Sequence, residues 1–309
     1  MRILLLGATG QLGWELRPVL LVGGDVVAPT RAELDLRDGK ELQRCVRELR
    51  PDVVVNAAAY TQVDKAEEEP EVAMDINGRA PGILAEEASR HGGVLVHFST
   101  DYVFDGRHTE PYVESDAAAP LNAYGRSKAR GEQAIRESGA RHLIFRLGWV
   151  YGLRRRNFLT TMLRLFHEQE SLDVVADQVG SPTWCRTIAI ATGISLSQVG
   201  LLGSGVQGQA ANREEFWGTY HMSAAGRTSW YEFASRILES ARKLLPADSL
   251  RIEQLRQTTL QQFDSLAARP ACTLLSNERL HARFGVRLPR WEDQLSLCLR
   301  DLDLGAAFA

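Results

Sequence analysis

The chain has 309 residues, 44% apolar and 24% charged side chains, and a formal net charge of -3. That length allows a large core, and the small net charge excludes a basic field for nucleic acid or acidic membrane surfaces. Cys45, Cys185, Cys272 and Cys298 are far apart and form no CxxC pair, so they read as free thiols, which excludes a disulfide frame and a cysteine metal site. The run Ile3–Leu6 before Gly7 is too short for a signal-peptide core, and no apolar run is long enough to cross a bilayer. A cytoplasmic location is the expectation.

The first half alternates short branched runs with helical patterns. Arg2–Leu6 predicts a strand, Gln11–Val22 a helix, Asp25–Ala28 a strand and Asp38–Arg50 a helix that Pro51 ends. Asp52–Val55 predicts a third strand, Glu71–His91 a helical stretch and Val94–Phe98 a fourth strand. The helix around Tyr124–Glu137 and the strand His142–Arg146 complete the series. Strand and helix alternating in this way predict an α/β fold, a Rossmann-type doubly wound parallel sheet with right-handed connections. Residues 1–150 are expected to form the dinucleotide-binding domain. Residues 151–309 are expected to form a smaller C-terminal substrate lobe interleaved with it. Within that lobe, Asn157–Gln169 and Arg290–Leu302 read as helices and Ser181–Thr183 as a turn. The stretch 200–212 reads as a glycine-rich exposed excursion. Ser229–Leu245 reads as a helix with Ser229 at its cap, Glu232 at the third position and Pro246 as its stop.

Gly7, Gly10 and Gly13 follow the first strand with G-x-x-G-x-x-G spacing and open a helix. Glycines there permit a tight turn and close approach of backbone N–H groups to a pyrophosphate at the helix N-terminus. At the end of the second strand, Ala28-Pro29-Thr30-Arg31 offers no acid for an adenine-ribose hydroxyl and does offer Arg31. NADPH is therefore permitted beside NADH. Asp35 and Leu36 lie further along the same loop, and small residues follow the third strand at Asn56–Ala59.

The fourth strand ends in Ser99-Thr100-Asp101, and ligands of open α/β sheets bind beyond the carboxyl ends of strands. Tyr124 and Lys128 are spaced i, i+4 on the next helix and share one of its faces. A phenol of pKa about 10 is a poor proton donor at neutral pH, and a nearby ammonium is expected to lower that value. A hydroxyl, a phenol and an ammonium beside a nicotinamide form a carbonyl-reduction site. In this reading Tyr124 protonates the alkoxide, Lys128 acidifies Tyr124 and holds the nicotinamide ribose, and Thr100 orients the oxygen.

This ordered set resembles the extended short-chain dehydrogenase/reductase superfamily and, within it, the dTDP-4-dehydrorhamnose reductase family. The resemblance covers nearly the whole chain. It includes Asn56–Glu67, Ser99–Gly106, Tyr124–Lys128, Arg146–Tyr151, Asn157-Phe158, Asp177–Thr183, Gly218–His221, Gly226–Tyr231 and Arg269-Pro270. It implies NADPH- or NADH-dependent reduction of the C4 keto group of dTDP-4-dehydro-L-rhamnose, the last step of dTDP-L-rhamnose synthesis. It implies a catalytic trio of Thr100, Tyr124 and Lys128. It also implies cofactor contacts at Gly10, Gln11, Leu12, Thr30, Asp35, Leu36, Ala59, Tyr60, Thr61 and Phe98. Thr100, Asp101, Tyr124 and Trp149 are implied to face the nucleotide sugar, with Asn157, Gln178 and Arg269 in addition.

Two segments depart from the family. Where some members carry a glutamate for magnesium at a dimer contact, this chain has Trp184-Cys185-Arg186, which puts a metal-bridged dimer in doubt. Monomer and homodimer both stay open. After Arg269-Pro270 the family often has Asn-Ser, where this chain has Cys272-Thr273. The alternatives are another nucleotide-sugar reductase or epimerase of the superfamily, or a non-catalytic subunit resembling the regulatory subunit of methionine adenosyltransferase.

Overall fold

Branched residues with both faces covered build the central strands. The computed structural model of the chain describes residues 1–202, 213–246 and 249–302. In chain order the first half comprises β1 (Arg2–Leu6), α1 (Gln11–Leu21), β2 (Asp25–Val27), α2 (Gly39–Leu49), β3 (Val53–Asn56), α3 (Val63–Glu68), α4 (Pro70–Met74), α5 (Ala80–Arg90), β4 (Val94–Thr100), α6 (Ala123–Glu137) and β5 (His142–Leu147). Then follow β6 (Val150–Tyr151), α7 (Phe158–Glu168), β7 (Ser171–Val175), β8 (Val179–Gly180), β9 (Thr183–Trp184), α8 (Cys185–Gln198), β10 (Gly218–His221), β11 (Thr228–Ser229), α9 (Trp230–Leu244), β12 (Gln254–Thr258), α10 (Glu278–Phe284) and α11 (Trp291–Arg300).

The main sheet has six strands in the order β10-β5-β4-β3-β1-β2, and every pairing in it is parallel. Ile3, Leu5, Val53, Val55, Val96, Phe98 and Phe145 point into one core with α1 and the helices from α7 onward. Leu4, Leu6, Val54, Leu95 and Ile144 point into the other with α2, α5 and α6. Burial on both faces explains why these strands read as unbroken apolar runs rather than as an alternation. The doubly wound parallel sheet is as expected. Its order reverses between β1 and β3, the switch point at which ligands bind in such sheets.

Several elements escape the sequence patterns. The sixth strand, β10, comes from residues 218–221 and pairs with β5 from Gly218 opposite Leu143 to His221 opposite Arg146. Helix α8 is buried at Cys185, Ile188, Ala189, Ala191, Thr192, Gly193, Ser195 and Leu196, so no single apolar stripe marks it. β7 and β12 form a separate parallel pair. β12 is Gln-Leu-Arg-Gln-Thr, a composition that gives little strand signal. The expected helix over 71–91 is broken by a π-helical turn at Asp75–Arg79, between α4 and α5. The predicted capping box of α9 is present: Glu232 N–H donates to Ser229 Oγ at 3.1 Å, and Ser229 N–H donates to Glu232 Oε2 at 2.9 Å. Of the expected glycine-rich excursion, residues 203–212 lie outside the described residues.

Candidate active site

At the end of β1 the chain turns at Gly7 with φ +79°, a region that glycine enters without strain. A Cβ on Gly7 would stand 2.6 Å from Ala58 N, and one on Gly13 would stand 2.1 Å from Gly7 O. The first glycine thus lets the turn lie against the end of β3, and the third lets α1 pack onto the turn. Gly10 opens α1 with no side-chain cap. Gln11 Oε1 is buried without a hydrogen-bond partner. A bare helix N-terminus, an orphaned amide oxygen and a cradle cleared of side chains fit the pyrophosphate of a dinucleotide.

Beyond β2, Thr30 N–H and its hydroxyl both donate to Glu33 Oε2, at 2.7 and 2.9 Å. Asp35 accepts from Arg37, closest at 2.6 Å, and these hydrogen bonds hold its carboxyl down at about 2. Arg31 is 3.8 Å from Asp35 and its side chain is 72% exposed. It is the guanidinium here that is open to a ligand, whereas Arg37 is committed to Asp35. Ala59 and Thr61 are exposed beyond β3, and Tyr60 is half-buried with its hydroxyl donating to Glu69 at 2.9 Å. Asn77, on the π-helical turn, ties this segment to the catalytic helix. Its Oδ1 accepts from Tyr60 N–H at 2.9 Å, and its Nδ2 donates to Tyr60 O at 2.9 Å and Ser127 Oγ at 3.0 Å. Nothing in the sequence pattern singled out Asn77.

Thr100 ends β4, and its Oγ1 donates to Asp101 Oδ1 at 3.0 Å and accepts from Tyr102 N–H at 3.2 Å. Both Thr100 and Asp101 are buried. Burial pushes the Asp101 carboxyl up to about 7, against the pull of the Thr273 and Thr100 hydroxyls. Tyr124 is half-buried on α6, edge-on to Tyr102 with ring centroids 5.9 Å apart. Burial raises its phenol above the ordinary value, and Asp101 and Tyr102 add to the rise while the Thr100 hydroxyl opposes it. Thr100, Asp101 and Tyr124 therefore come together.

Lys128 is arranged differently from the expectation. Its Nζ donates to Phe98 O at 2.6 Å and sits 3.2 Å from His97 Nε2, so it is turned under the strand rather than onto the phenol. The Tyr124 pKa accordingly moves up and not down. Burial depresses the Lys128 ammonium itself to about 8, with Glu132 one turn on working against that. Glu132 accepts from Arg146 Nε at 2.9 Å and Nη2 at 2.7 Å, a two-pronged buried pair beneath the site.

The family model for the RmlD substrate binding domain matches residues 1–304. The dTDP-4-dehydrorhamnose reductase of Burkholderia thailandensis is 47% identical over 98% of this chain and 99% of its own length. That of Escherichia coli K12 is 39% identical over 98% of both chains. The chain belongs to the dTDP-4-dehydrorhamnose reductase family. The crystal structure of the Bacillus anthracis family member in complex with NADP superposes with a TM-score of 0.86 at 33% identity, covering 97% of this chain and 99% of that one.

The segments that mark the dTDP-4-dehydrorhamnose reductase family meet in space. Asp64 of α3 accepts from Ala267 N–H at 3.1 Å and from Arg269 Nη2 at 2.7 Å. Glu67 accepts from Ala123 N–H at 2.6 Å, at the start of α6. Burial raises the Tyr102 phenol, and Arg269 and Gln178 pull it the other way; sequence reasoning missed this residue. Trp149, at φ +47°, is stacked on Trp230 with ring centroids 3.5 Å apart, and its Nε1 donates to Thr273 Oγ1 at 3.1 Å. It walls the site from a buried position. Asn157 is not free for a substrate: its Oδ1 accepts from Thr160 N–H at 3.3 Å and its Nδ2 donates to Gly152 O at 2.7 Å. Those bonds cap α7 and close the 152–157 loop. Arg186 donates to Glu15 Oε2 at 2.9 Å and pairs with Asp301, so a guanidinium already neutralises both acids and the place does not suit magnesium.

Proposed function

We propose that this chain reduces the C4 keto group of dTDP-4-dehydro-L-rhamnose to give dTDP-L-rhamnose. The observation that carries the reading is the grouping of Thr100, Asp101 and Tyr124 beyond β4, on the same carboxyl edge of the parallel sheet as the Gly7–Gly13 cradle beyond β1, in a chain 47% identical end to end to a reductase of that name. Gly10, Gln11 and Leu12 would hold the cofactor's pyrophosphate, and Arg31 would meet a ribose phosphate, which favours NADPH over NADH. When bound, the nicotinamide supplies the hydride that the carbonyl carbon receives.

The side chains supply the rest. A phenol with a raised pKa keeps its proton at neutral pH, so Tyr124 is loaded when negative charge develops on the substrate oxygen. An alkoxide is more basic still, and the proton passes from Tyr124 Oη to it. Thr100 Oγ1–H would turn from Asp101 Oδ1 to that oxygen and orient it by a hydrogen bond. Lys128 supports the nicotinamide ribose from under β4. Trp149 and Trp230 exclude water from one side of the pocket. No helix among the described residues is long and apolar enough to cross a membrane, and the free cysteines suit a reducing compartment such as the cytoplasm.

A coupled assay tests the proposal. The protein is mixed with dTDP-4-dehydro-L-rhamnose and either NADPH or NADH, and loss of nicotinamide absorbance is followed. Consumption with NADPH faster than with NADH is expected. Loss of absorbance with neither cofactor overturns the reading.

A further inference from the structure

Arg154, Arg155 and Arg156 follow one another on the loop that joins β6 to α7. They are exposed, and none of them pairs with an acid among the described residues. The loop is tied down at several points. Asn157 Nδ2 donates to Gly152 O at 2.7 Å and to Arg155 O at 3.1 Å, and Thr160 Oγ1 donates to Arg155 O at 3.2 Å. Arg154 lies over the Trp14 ring of α1, 3.7 Å from its centroid. A Cβ on Gly152 would stand 2.6 Å from Cys185 Sγ and 3.8 Å from the orphaned Gln11 Oε1, so the loop begins against the cradle. Arg155 Nε donates to Thr9 O at 3.2 Å. Thr9 belongs to the Gly7–Gly13 turn, so this guanidinium rests on the cradle itself. The bond uses only Nε and leaves the donors of Nη1 and Nη2 open among the described residues.

We propose that Arg155 is a cofactor-binding residue that clamps the dinucleotide pyrophosphate onto the Gly7–Gly13 cradle. This deepens the reductase reading and rests on it for the presence of a dinucleotide. The cradle, Gly-Ala-Thr-Gly-Gln-Leu-Gly, carries no formal charge of its own, and a helix N-terminus supplies only a partial one. A pyrophosphate is an anion, and the planar fork of a guanidinium matches its oxygens. No acid of α1 competes for Arg155, because Glu15 is the only one and already accepts from Arg186 at 2.9 Å. The backbone points the same way. Arg155 has φ +62°, a region that glycine enters without strain and arginine does not. The loop therefore carries a long cationic side chain where its backbone favours none. The nucleotide sugar has a pyrophosphate too, but the bond to Thr9 puts Arg155 on the cofactor's side.

The test is isothermal titration calorimetry with NADPH, NADH and dTDP on wild type and Arg155→Gly. Glycine suits this backbone, so the fold should be kept while the guanidinium is lost. The Kd should rise about tenfold for NADPH and NADH alike, since both carry the pyrophosphate, and the Kd for dTDP should not change. Added salt should weaken dinucleotide binding to wild type more than to the variant. Arg155→Gln should give the same rise and decides the matter if the glycine variant does not fold. Dinucleotide affinity equal to wild type in these variants overturns the proposal, including when the variant melts lower, which would leave Arg155 a structural role only. A loss confined to NADPH would put Arg155 at the ribose phosphate, and a loss confined to dTDP would put it on the substrate; either overturns the proposal. These titrations need no keto sugar, so a failed coupled assay and an unchanged Kd are distinct results.

Discussion

Tyr124 and Asp101 show how burial, more than any single neighbour, sets the chemistry of a side chain in this site. Tyr124→Phe removes the proton and keeps the ring against Tyr102 and the α3–α4 alanines. Turnover should fall by a factor of about 10² to 10⁴, while the rise in melting temperature on adding NADPH stays. Asp101 gives a signed prediction. Its folded pKa of about 7 lies above the ordinary 3.8, so the native state binds the extra proton in that interval. The unfolded chain binds fewer protons there, so the contribution to stability is present below the unfolded value and is lost as pH rises toward 7. The gap corresponds to about 4 kcal/mol at most. Asp101→Asn, measured against wild type by denaturant melts at acid and neutral pH, should gain relative stability as pH rises. A constant difference across that range would count against the buried, neutral acid.

Short capping and clearance devices hold the elements in place. The Ser229–Glu232 box closes the start of α9, and Ser229→Ala should cost about 1 kcal/mol in a urea melt. A Cβ on Gly131 of α6 would stand 2.1 Å from Asn77 O. Gly131→Ala should therefore push the π-helical turn away, loosen the Tyr60–Asn77–Ser127 tie, and raise the KM for the dinucleotide several-fold. An unchanged KM would mean that the tie does not position the cofactor segment. Elements with a local signature were legible: the alternation of strand and helix up to residue 147, the cap of α9, and the glycine turn. α8 and β12 were not, because one is covered on most sides and the other is polar and exposed. The break at Asp75–Arg79 was not legible either, since a π turn uses the same residues as a helix and is set by packing against Gly131.

At the scale of the whole molecule, one core joins residues on either side of position 150. Phe233 packs against Tyr151, with ring centroids 5.3 Å apart, and edge-on to Trp291 at 5.8 Å. β10 adds residues 218–221 to a sheet begun at residue 2. Phe233→Ala should cost about 3–5 kcal/mol. Unfolding should remain a single transition seen alike by tryptophan fluorescence and far-ultraviolet circular dichroism. Two separated transitions would show lobes that fold independently.

The sequence by itself determined what local chemistry can carry. The doubly wound parallel sheet followed from alternating runs, the phosphate cradle from three glycines, and the pair Tyr124 and Lys128 from their spacing on one helix. Only the tertiary structure decided where those groups point. Lys128 turns to Phe98 O and His97, the phenol of Tyr124 rises instead of falling, and Asn157 caps a helix. The physical reason is that desolvation and hydrogen-bond partners come from residues distant in the chain. His97 meets Asn56 across 41 positions and Asp64 meets Arg269 across 205, and no period or motif within one segment encodes such a meeting.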